Sequence, residues 1–292
     1  WRNPHVYFEL EVRDSDGKAN VQQIEAGPAS SFVAMGFNAD AIRKGDRLKV
    51  QAKPNRAGPG RVVLGWQLTK VDGTVIPLHV RAVTTSVAPT AEATGLAGVW
   101  LPQATGFSSL AVAARDWPLT DKARALAAAT RDARAAQRAA CVPYGPPALM
   151  AVPSAATVEV GTSEVTFTID AMNVRRVVHL DQPSHPVPLE PTVLGHSIGH
   201  WEGGTLVVDT AGFTAHPEGY AFDLPSSAAK HVVERFSLSA DRKHLEYEAT
   251  VDDSEYFTAP VKHRSQWDYR PELKPSNLPC DPEAASRFTT DE

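Results

Sequence analysis

The stretch that most constrains the fold of this chain is residues 195–213, GHSIGHWEGGTLVVDTAGF. Gly203 and Gly204 stand side by side in it, and glycine supplies the positive φ that a two-residue hairpin turn requires. The residues that follow the turn alternate with the two-residue period of a β-strand. The sequence therefore predicts a hairpin with strands near residues 193–201 and 205–210, and we expect this hairpin to lie at the centre of an antiparallel barrel.

The rest of the chain predicts more strands. Residues 1–84 carry five or so short strands separated by turn residues, which is typical of a small OB-like barrel. Residues 85–95 show no clean period and are interpreted as a linker. Residues 96–292 carry roughly eight strands, the number at which a small closed barrel can hold one ligand. One external helix is predicted over residues 120–140, which are rich in strong helix formers, and a polar tail follows the last strand.

These elements predict a mostly β chain, in which a small OB-like barrel is followed by a lipocalin-like antiparallel β-barrel with one external helix. The segment Gly98-Val99-Trp100 resembles the Gly-x-Trp pattern that opens the first strand of lipocalins. The chain begins at Trp1, and strand alternation starts at His5. We therefore expect a further strand, and a signal peptide, to precede this sequence.

Composition limits the class of partner. The chain has 292 residues and a net charge of −5, which argues against the basic face of a nucleic-acid-binding protein. It contains no run of about 18 apolar residues, so we predict no membrane span. Phosphate-loop, dinucleotide and HExxH motifs do not occur, and we predict neither a cofactor nor a metal. Cys141 and Cys280 are either two buried thiols or one disulfide, and an even count in an exported chain favours the disulfide.

The hairpin stretch resembles the signature GHSxGxWEGDTLVVDTxGF of a family of uncharacterised secreted bacterial proteins. Four more segments resemble that family, namely CVPYGPP at 141–147, RRVVHLDQPSHP at 175–186, HVVERF at 231–236 and LEYEATVDD at 245–253. Residues 3–46 resemble a second uncharacterised secreted domain that often precedes it. The resemblance implies a periplasmic or secreted protein and implies no reaction. Gly204 replaces an aspartate of the signature, and residues 181–185 depart from the family's Asp-Gly-Arg.

The first candidate site comprises His179, Asp181, His185 and His196. One strand ends near His179 and the next begins near His196, so these side chains are expected at one rim of the barrel. Histidine beside a carboxylate acts as a general base near neutral pH, and the carboxylate fixes the tautomer. The same side chains also hold rim loops in place by hydrogen bonds, so both a catalytic and a purely structural interpretation stand.

The second candidate site centres on Asp209, with Glu202, His231 and Arg235. Asp209 follows two valines in a strand, where an unpaired carboxylate is costly. A buried Arg–Asp pair that braces the barrel is the structural alternative. Trp201 and Phe213 join Glu202, His231 and Arg235 as predicted ligand-binding residues, since aromatic side chains at strand spacing either line an apolar cavity or form plain core. A metal would need histidines from separate strands, such as His179, His196 and His231.

The leading hypothesis is an exported protein that binds a small, largely apolar molecule in the cavity of its C-terminal barrel. The alternative is a lyase, isomerase or hydrolase that uses acid–base chemistry at His179, Asp181, His185, His196 and Asp209. A third hypothesis is a subunit of a surface assembly, with a protein partner added to an open edge of the N-terminal β domain.

Overall fold

The computed structural model describes residues 2–13, 15–29, 32, 37–53, 62–78, 88–103, 105–106, 110, 116–221 and 224–290. The predicted linker over 85–95 therefore lies partly outside the described residues.

The N-terminal part forms a five-stranded sheet in the order β1-β2-β4-β3, with β5 also paired to β4. Its strands are β1 (Tyr7–Arg13), β2 (Ala19–Glu25), β3 (Leu48–Lys53), β4 (Val63–Lys70) and β5 (Val75–Pro77). Apolar side chains cover one face and form a core of their own, which includes Ile24, Leu68 and Ile76. Within the described residues this sheet is open, so the closed OB-like barrel stays a prediction.

The C-terminal part is a closed barrel of nine strands, where the sequence predicts roughly eight. The strands are β6 (Gly98–Pro102), β7 (Ala156–Val160), β8 (Glu164–Ile169), β9 (Val174–His179), β10 (His196–Glu202), β11 (Thr205–Ala211), β14 (His231–Leu238), β15 (His244–Asp252) and β16 (Val261–Tyr269). Around the barrel the order is β10-β11-β14-β15-β16-β6-β7-β8-β9. The mostly β architecture with a barrel is thereby confirmed. A short hairpin of β12 (His216–Ala221) and β13 (Leu224–Ser226) lies between β11 and β14.

One strand pair of the barrel is parallel, although the sequence was interpreted as antiparallel throughout. Strands β9 and β10 close the barrel side by side in the same direction, with Ser197 opposite Val178. Parallel neighbours require a connection that returns across the sheet. Residues 180–195, named here the crossover loop, make that return. Thr192 fixes the loop, because its N–H donates to the Gly212 carbonyl at 3.0 Å and its carbonyl accepts from Thr214 N–H at 2.8 Å.

Side chains fill the middle of the barrel. Phe167, Phe236 and Trp267 are fully buried, and their ring centroids lie 4.9 to 6.4 Å apart. Tyr247 packs beside Phe236 with a centroid distance of 5.1 Å. Interdigitated rings at these distances form a packed core rather than a ligand cavity at this level.

Helices lie outside the barrel. The α-helices with both ends among the described residues are α1 (Asp121–Ala129), α2 (Arg131–Ala139), the short α3 (Ala148–Ala151) and α4 (Pro282–Thr290). The single helix predicted over 120–140 is thus two helices that meet at Thr130, and Thr120 caps the first by accepting the Ala123 N–H at 3.3 Å. No described helix is both long enough and apolar enough to cross a membrane.

The C-terminal tail joins the two parts of the molecule. Cys280 forms a disulfide with Cys141, just beyond α2, which decides between the two interpretations of the cysteines. Asn3 donates to the carbonyls of Leu278 in the tail at 2.7 Å and Asp170 in the barrel at 2.9 Å. The Asn3 carbonyl in turn accepts from Asp281 N–H at 2.8 Å. The tail therefore holds the start of the N-terminal part against the barrel.

Candidate functional site

Five of the predicted site residues meet on the outer face of the barrel, beneath the crossover loop. Asp209 points outward because its neighbours Val208 and Thr210 point inward and are fully buried. His231 Nε2 lies 3.0 Å from both carboxylate oxygens of Asp209, and His185 Nε2 lies 2.9 Å from Oδ1. One carboxylate therefore orients two imidazoles that come from different elements.

His196 extends this group, which we name the histidine cluster (His179, His185, His196, Asp209 and His231). Nδ1 of His196 lies 2.9 Å from Nδ1 of His185, so one of these two nitrogens carries the proton and the other accepts it. The ring of His179 stacks on His196 with a centroid distance of 5.1 Å. The cluster is thus a connected chain of proton-carrying groups, but it lies on the outer wall and not at a rim that opens into the barrel.

The electrostatics divide the cluster in two. The hydrogen bond from His231 lowers the pKa of Asp209, and the same bond raises the pKa of His231. Burial, together with the nearby His179 and His185, lowers the pKa of His196. These shifts favour the charged forms of Asp209 and His231 and the neutral form of His196, so groups with opposite proton preferences lie within one network.

Several predicted residues lie elsewhere. Asp181 is exposed on the crossover loop. Phe213 is 1% exposed and belongs to the barrel core. Glu202 and Arg235 form an exposed ion pair of 2.8 Å at the far end of the hairpin. These residues do not join the histidine cluster.

The predicted pair between Asp209 and Arg235 is wrong, and strand register explains why. Asp209 lies opposite Val233, so His231 and Arg235 are its two diagonal neighbours on the outer face. His231 contacts Asp209, whereas Arg235 turns toward Glu202. Both diagonal contacts are compatible with the sequence, which does not rank them.

The arginine buried in the barrel is Arg176, which the sequence analysis did not single out. It forms a bidentate ion pair with Glu234, and both side chains are almost fully buried. Tyr247 O–H donates to Glu234 Oε1 at 2.9 Å and Arg176 donates to Thr210 Oγ1 at 3.0 Å. The sequence did carry a signal of this burial, because Arg176 alternates with Val174 and Val178 on the face of β9 that points inward. This network satisfies the buried charges and braces the barrel.

Lys230 is a second buried charge that the sequence analysis missed. Its ammonium group donates to the Pro146 carbonyl at 3.2 Å and lies 4.0 Å from the centre of the Phe213 ring. Burial lowers the pKa of Lys230 to about 7. It joins the turn before β14 to the Pro-rich segment after α2, and this is a packing role.

A concave site lies at the end of the barrel, beside the turn of the β10–β11 hairpin. We name it the end pocket; it has a volume of about 740 Å³ and its walls include Leu96, Val160, Trp201, Leu238 and Arg242. Trp201 lies four residues after the buried Ser197, and Val160 lies two residues after the buried Val158. Residues an even number of positions apart share one face of a strand, so both side chains are on the inward face. They point toward the barrel axis but are 40% and 41% exposed, because the strands end there and the described residues cover them only in part.

A second concavity of about 720 Å³ lies on the outer wall of β14, β15 and β16. Its walls carry charges of both signs, which include Glu246, Glu248 and Arg264. Arg264 Nε donates to Glu248 Oε2 at 2.6 Å, so these charges are compensated by one another. Within the described residues, no group of three or more His, Cys, Asp or Glu side chains is arranged to hold a metal ion.

Comparison with known proteins gives one match. Residues 1–63 match DUF6152, a family of unknown function. That segment corresponds to the N-terminal sheet as far as the start of β4, and the barrel lies outside it. Neither the curated proteins nor the solved structures contain a match to this chain.

Proposed function

We propose that this protein binds a small, largely apolar molecule in the end pocket. The observation that supports this proposal is the pair Trp201 and Val160, two large apolar side chains that point toward the barrel axis and remain about two-fifths exposed, at 40% and 41%. Burial of apolar surface contributes roughly 25 cal/mol per Å². A ligand that covers these side chains gains binding energy that the chain itself leaves unused.

The dimensions also fit such a ligand. Small-molecule sites have volumes of roughly 300–1,000 Å³ and mostly apolar walls with a few polar groups, and the end pocket has about 740 Å³. Because aromatic rings and the Arg176–Glu234 pair fill the middle of the barrel, the ligand sits at the barrel end and not in a central cavity. The proposed site therefore differs in position from the central cavity that the sequence suggested.

Titration with the apolar dye Nile red tests the proposal. We expect fluorescence enhancement with the wild-type protein and a loss of affinity of at least about tenfold for Val160→Asp, because a carboxylate would replace apolar wall. Val187→Asp is the matched control, since Val187 is 97% exposed and lies on the crossover loop. Equal binding by Val160→Asp and Val187→Asp would contradict the proposal.

We propose acid–base catalysis at the histidine cluster as a second function. The observation that favours it is that Asp209 accepts hydrogen bonds from both His185 and His231, an arrangement that fixes tautomers for proton transfer. The test is mass spectrometry of a small-molecule extract incubated with wild-type protein or with Asp209→Asn. Turnover of a compound by the wild type alone supports catalysis, and identical extracts exclude it for that mixture.

We also propose that the protein functions outside the cytoplasm. Disulfides persist mainly in oxidising compartments, and Cys141–Cys280 joins segments that are 139 residues apart. Thiol alkylation before cell lysis, followed by mass spectrometry of the two cysteine peptides, checks this. Recovery of the linked peptides from the periplasmic or secreted fraction is expected, and free thiols in a cytoplasmic pool would contradict it.

A further inference from the structure

The end pocket contains one charged side chain among its described wall residues, and it is the cation Arg242. We infer that the ligand of this pocket is an apolar molecule with a single acidic group, and that Arg242 binds that group. This inference rests on the proposed function, because it concerns the ligand of the same pocket.

The backbone and Nε of Arg242 hold its side chain in place. Its N–H donates to the Ser239 carbonyl at 2.9 Å and its own carbonyl accepts from Ala93 N–H at 2.8 Å. Nε donates to the Ala93 carbonyl at 2.7 Å. The guanidinium is therefore anchored at the wall by Nε, and its two terminal nitrogens have no hydrogen-bond partner among the described residues.

Asp241 and Glu202, which adjoin wall residues of this pocket, are engaged elsewhere. Asp241 accepts hydrogen bonds from Ser239 Oγ at 2.6 Å and Lys243 N–H at 3.1 Å within its own turn. Glu202, on the adjacent hairpin, pairs with Arg235 at 2.8 Å. Arg242 forms no ion pair with any described carboxylate, in contrast to Arg235 and Arg264.

The chemistry of the wall then selects the ligand. A guanidinium binds a carboxylate through two parallel N–H···O bonds, and these are stronger than bonds between neutral groups. The remaining wall offers Leu96, Val160, Trp201 and Leu238 to a hydrocarbon body. A monocarboxylate with an aliphatic or aromatic body matches both parts of the pocket, whereas a cation would face an uncompensated positive charge.

The experiment compares two probes that share one hydrocarbon chain. Decanoate and decan-1-ol each displace Nile red from the full chain at pH 7.5, where decanoate is ionised. We expect decanoate to bind at least about tenfold more tightly than decan-1-ol, because the carboxylate accepts two charge-assisted hydrogen bonds where the hydroxyl oxygen of the alcohol accepts one. Arg242→Gln should remove this preference and Arg242→Lys should restore part of it, while Arg264→Gln, an exposed arginine on the outer wall, should leave it unchanged.

The outcomes separate the two proposals. Equal affinity for decanoate and decan-1-ol in the wild type, or an unchanged preference in Arg242→Gln, would overturn the role of Arg242 and leave apolar binding intact. Absence of Nile red binding would overturn the proposed function itself. The far-ultraviolet circular dichroism and melting temperature of each variant show whether it is folded. If Arg242→Gln does not fold, Arg242→Lys still decides, because a reduced preference for decanoate is expected of it.

Discussion

At the scale of single residues, the ion pair of Arg176 and Glu234 is the most deeply buried pair of opposite charges in the described part of the barrel. Both side chains are 2% exposed or less, so the loss of one partner leaves an uncompensated charge in the interior. We expect Arg176→Met to cost about 3–5 kcal/mol of unfolding free energy, measured by urea denaturation. Combination with Glu234→Gln removes the charge, keeps an acceptor for Tyr247 O–H, and should recover most of the loss. An equally unstable double variant would contradict this account.

His263 makes stability depend on pH. It is 4% exposed, its Nε2 has no partner among the described residues, and burial lowers its pKa from 6.5 to about 4. The unfolded state therefore takes up a proton as the pH falls from 6.5, and the folded state does not. This difference costs on the order of 2 kcal/mol of folding free energy between pH 7 and pH 5.

We expect His263→Phe to remove this part of the acid sensitivity, because the aromatic volume is retained and the titratable group is lost. Urea denaturation at pH 7 and at pH 5 gives the comparison. The difference between the two pH values should shrink in the variant. His200→Phe is the control, since His200 is exposed and its replacement should leave the difference as it is in the wild type.

At the scale of elements, the crossover loop depends on one glycine. Gly212 has a φ of +71°, and a Cβ built there would lie 2.5 Å from Leu189 Cδ2 on the loop. Gly212→Ala therefore adds roughly 1–2 kcal/mol of backbone strain and displaces Leu189. We expect faster amide hydrogen exchange in residues 187–194 than in the wild type, with unchanged exchange in β15. Gly17→Ala, which has a φ of +78° and nothing within 4 Å of its Cβ, controls for the strain alone.

Local patterns predicted the elements, but not how all of them pair. The hairpin turn was predictable because its chemistry is local, and Gly203 has a φ of +60° as expected, although Gly204 does not lie in the left-handed region. The parallel pairing of β9 with β10 was not predictable, because it depends on a crossover whose path no short sequence pattern encodes. His185 and His231 contact Asp209, and His196 joins them through His185. The sequence had placed these residues in two separate sites, one of them at a barrel rim, whereas they form one group on the outer wall.

The sequence also did not predict the end pocket. Trp201 was predicted to bind a ligand, but its partners Leu96, Leu238 and Arg242 belong to a segment before β6 and to the β14–β15 hairpin, and they meet only when the barrel closes. Arg242 sits in a turn with a φ of +56°, an environment that sequence reasoning assigns to surface loops. Non-local closure, rather than residue type, creates this site.

At the scale of the whole molecule, the Cys141–Cys280 disulfide fastens the tail that joins the two parts. Closure of a loop of 139 residues is worth about 5 kcal/mol in the chain-entropy picture. Tyr7 O–H also donates to the Ala284 carbonyl, and Arg2 pairs with Glu283. Both contacts are made with residues of α4, so they persist only while the tail keeps α4 in its position.

We expect the double variant Cys141→Ser with Cys280→Ser to release the tail and with it the start of the N-terminal sheet. Limited proteolysis should cut residues 271–285 faster than in the wild type, and the melting temperature should fall. Asn3→Ala, which retains the disulfide, should weaken only the junction with the N-terminal part. Equal protease resistance in all three proteins would show that the tail is not the fastening element.

The location of the ligand is the central claim, and the most direct test is an amide chemical-shift map by ¹H–¹⁵N TROSY spectroscopy during Nile red titration. We expect shifts at the amides of Gly203, Gly204, Leu238 and Ser239, which surround the end pocket. Shifts confined to Phe236 and Tyr247 in the filled middle of the barrel, or to the histidine cluster, would contradict it.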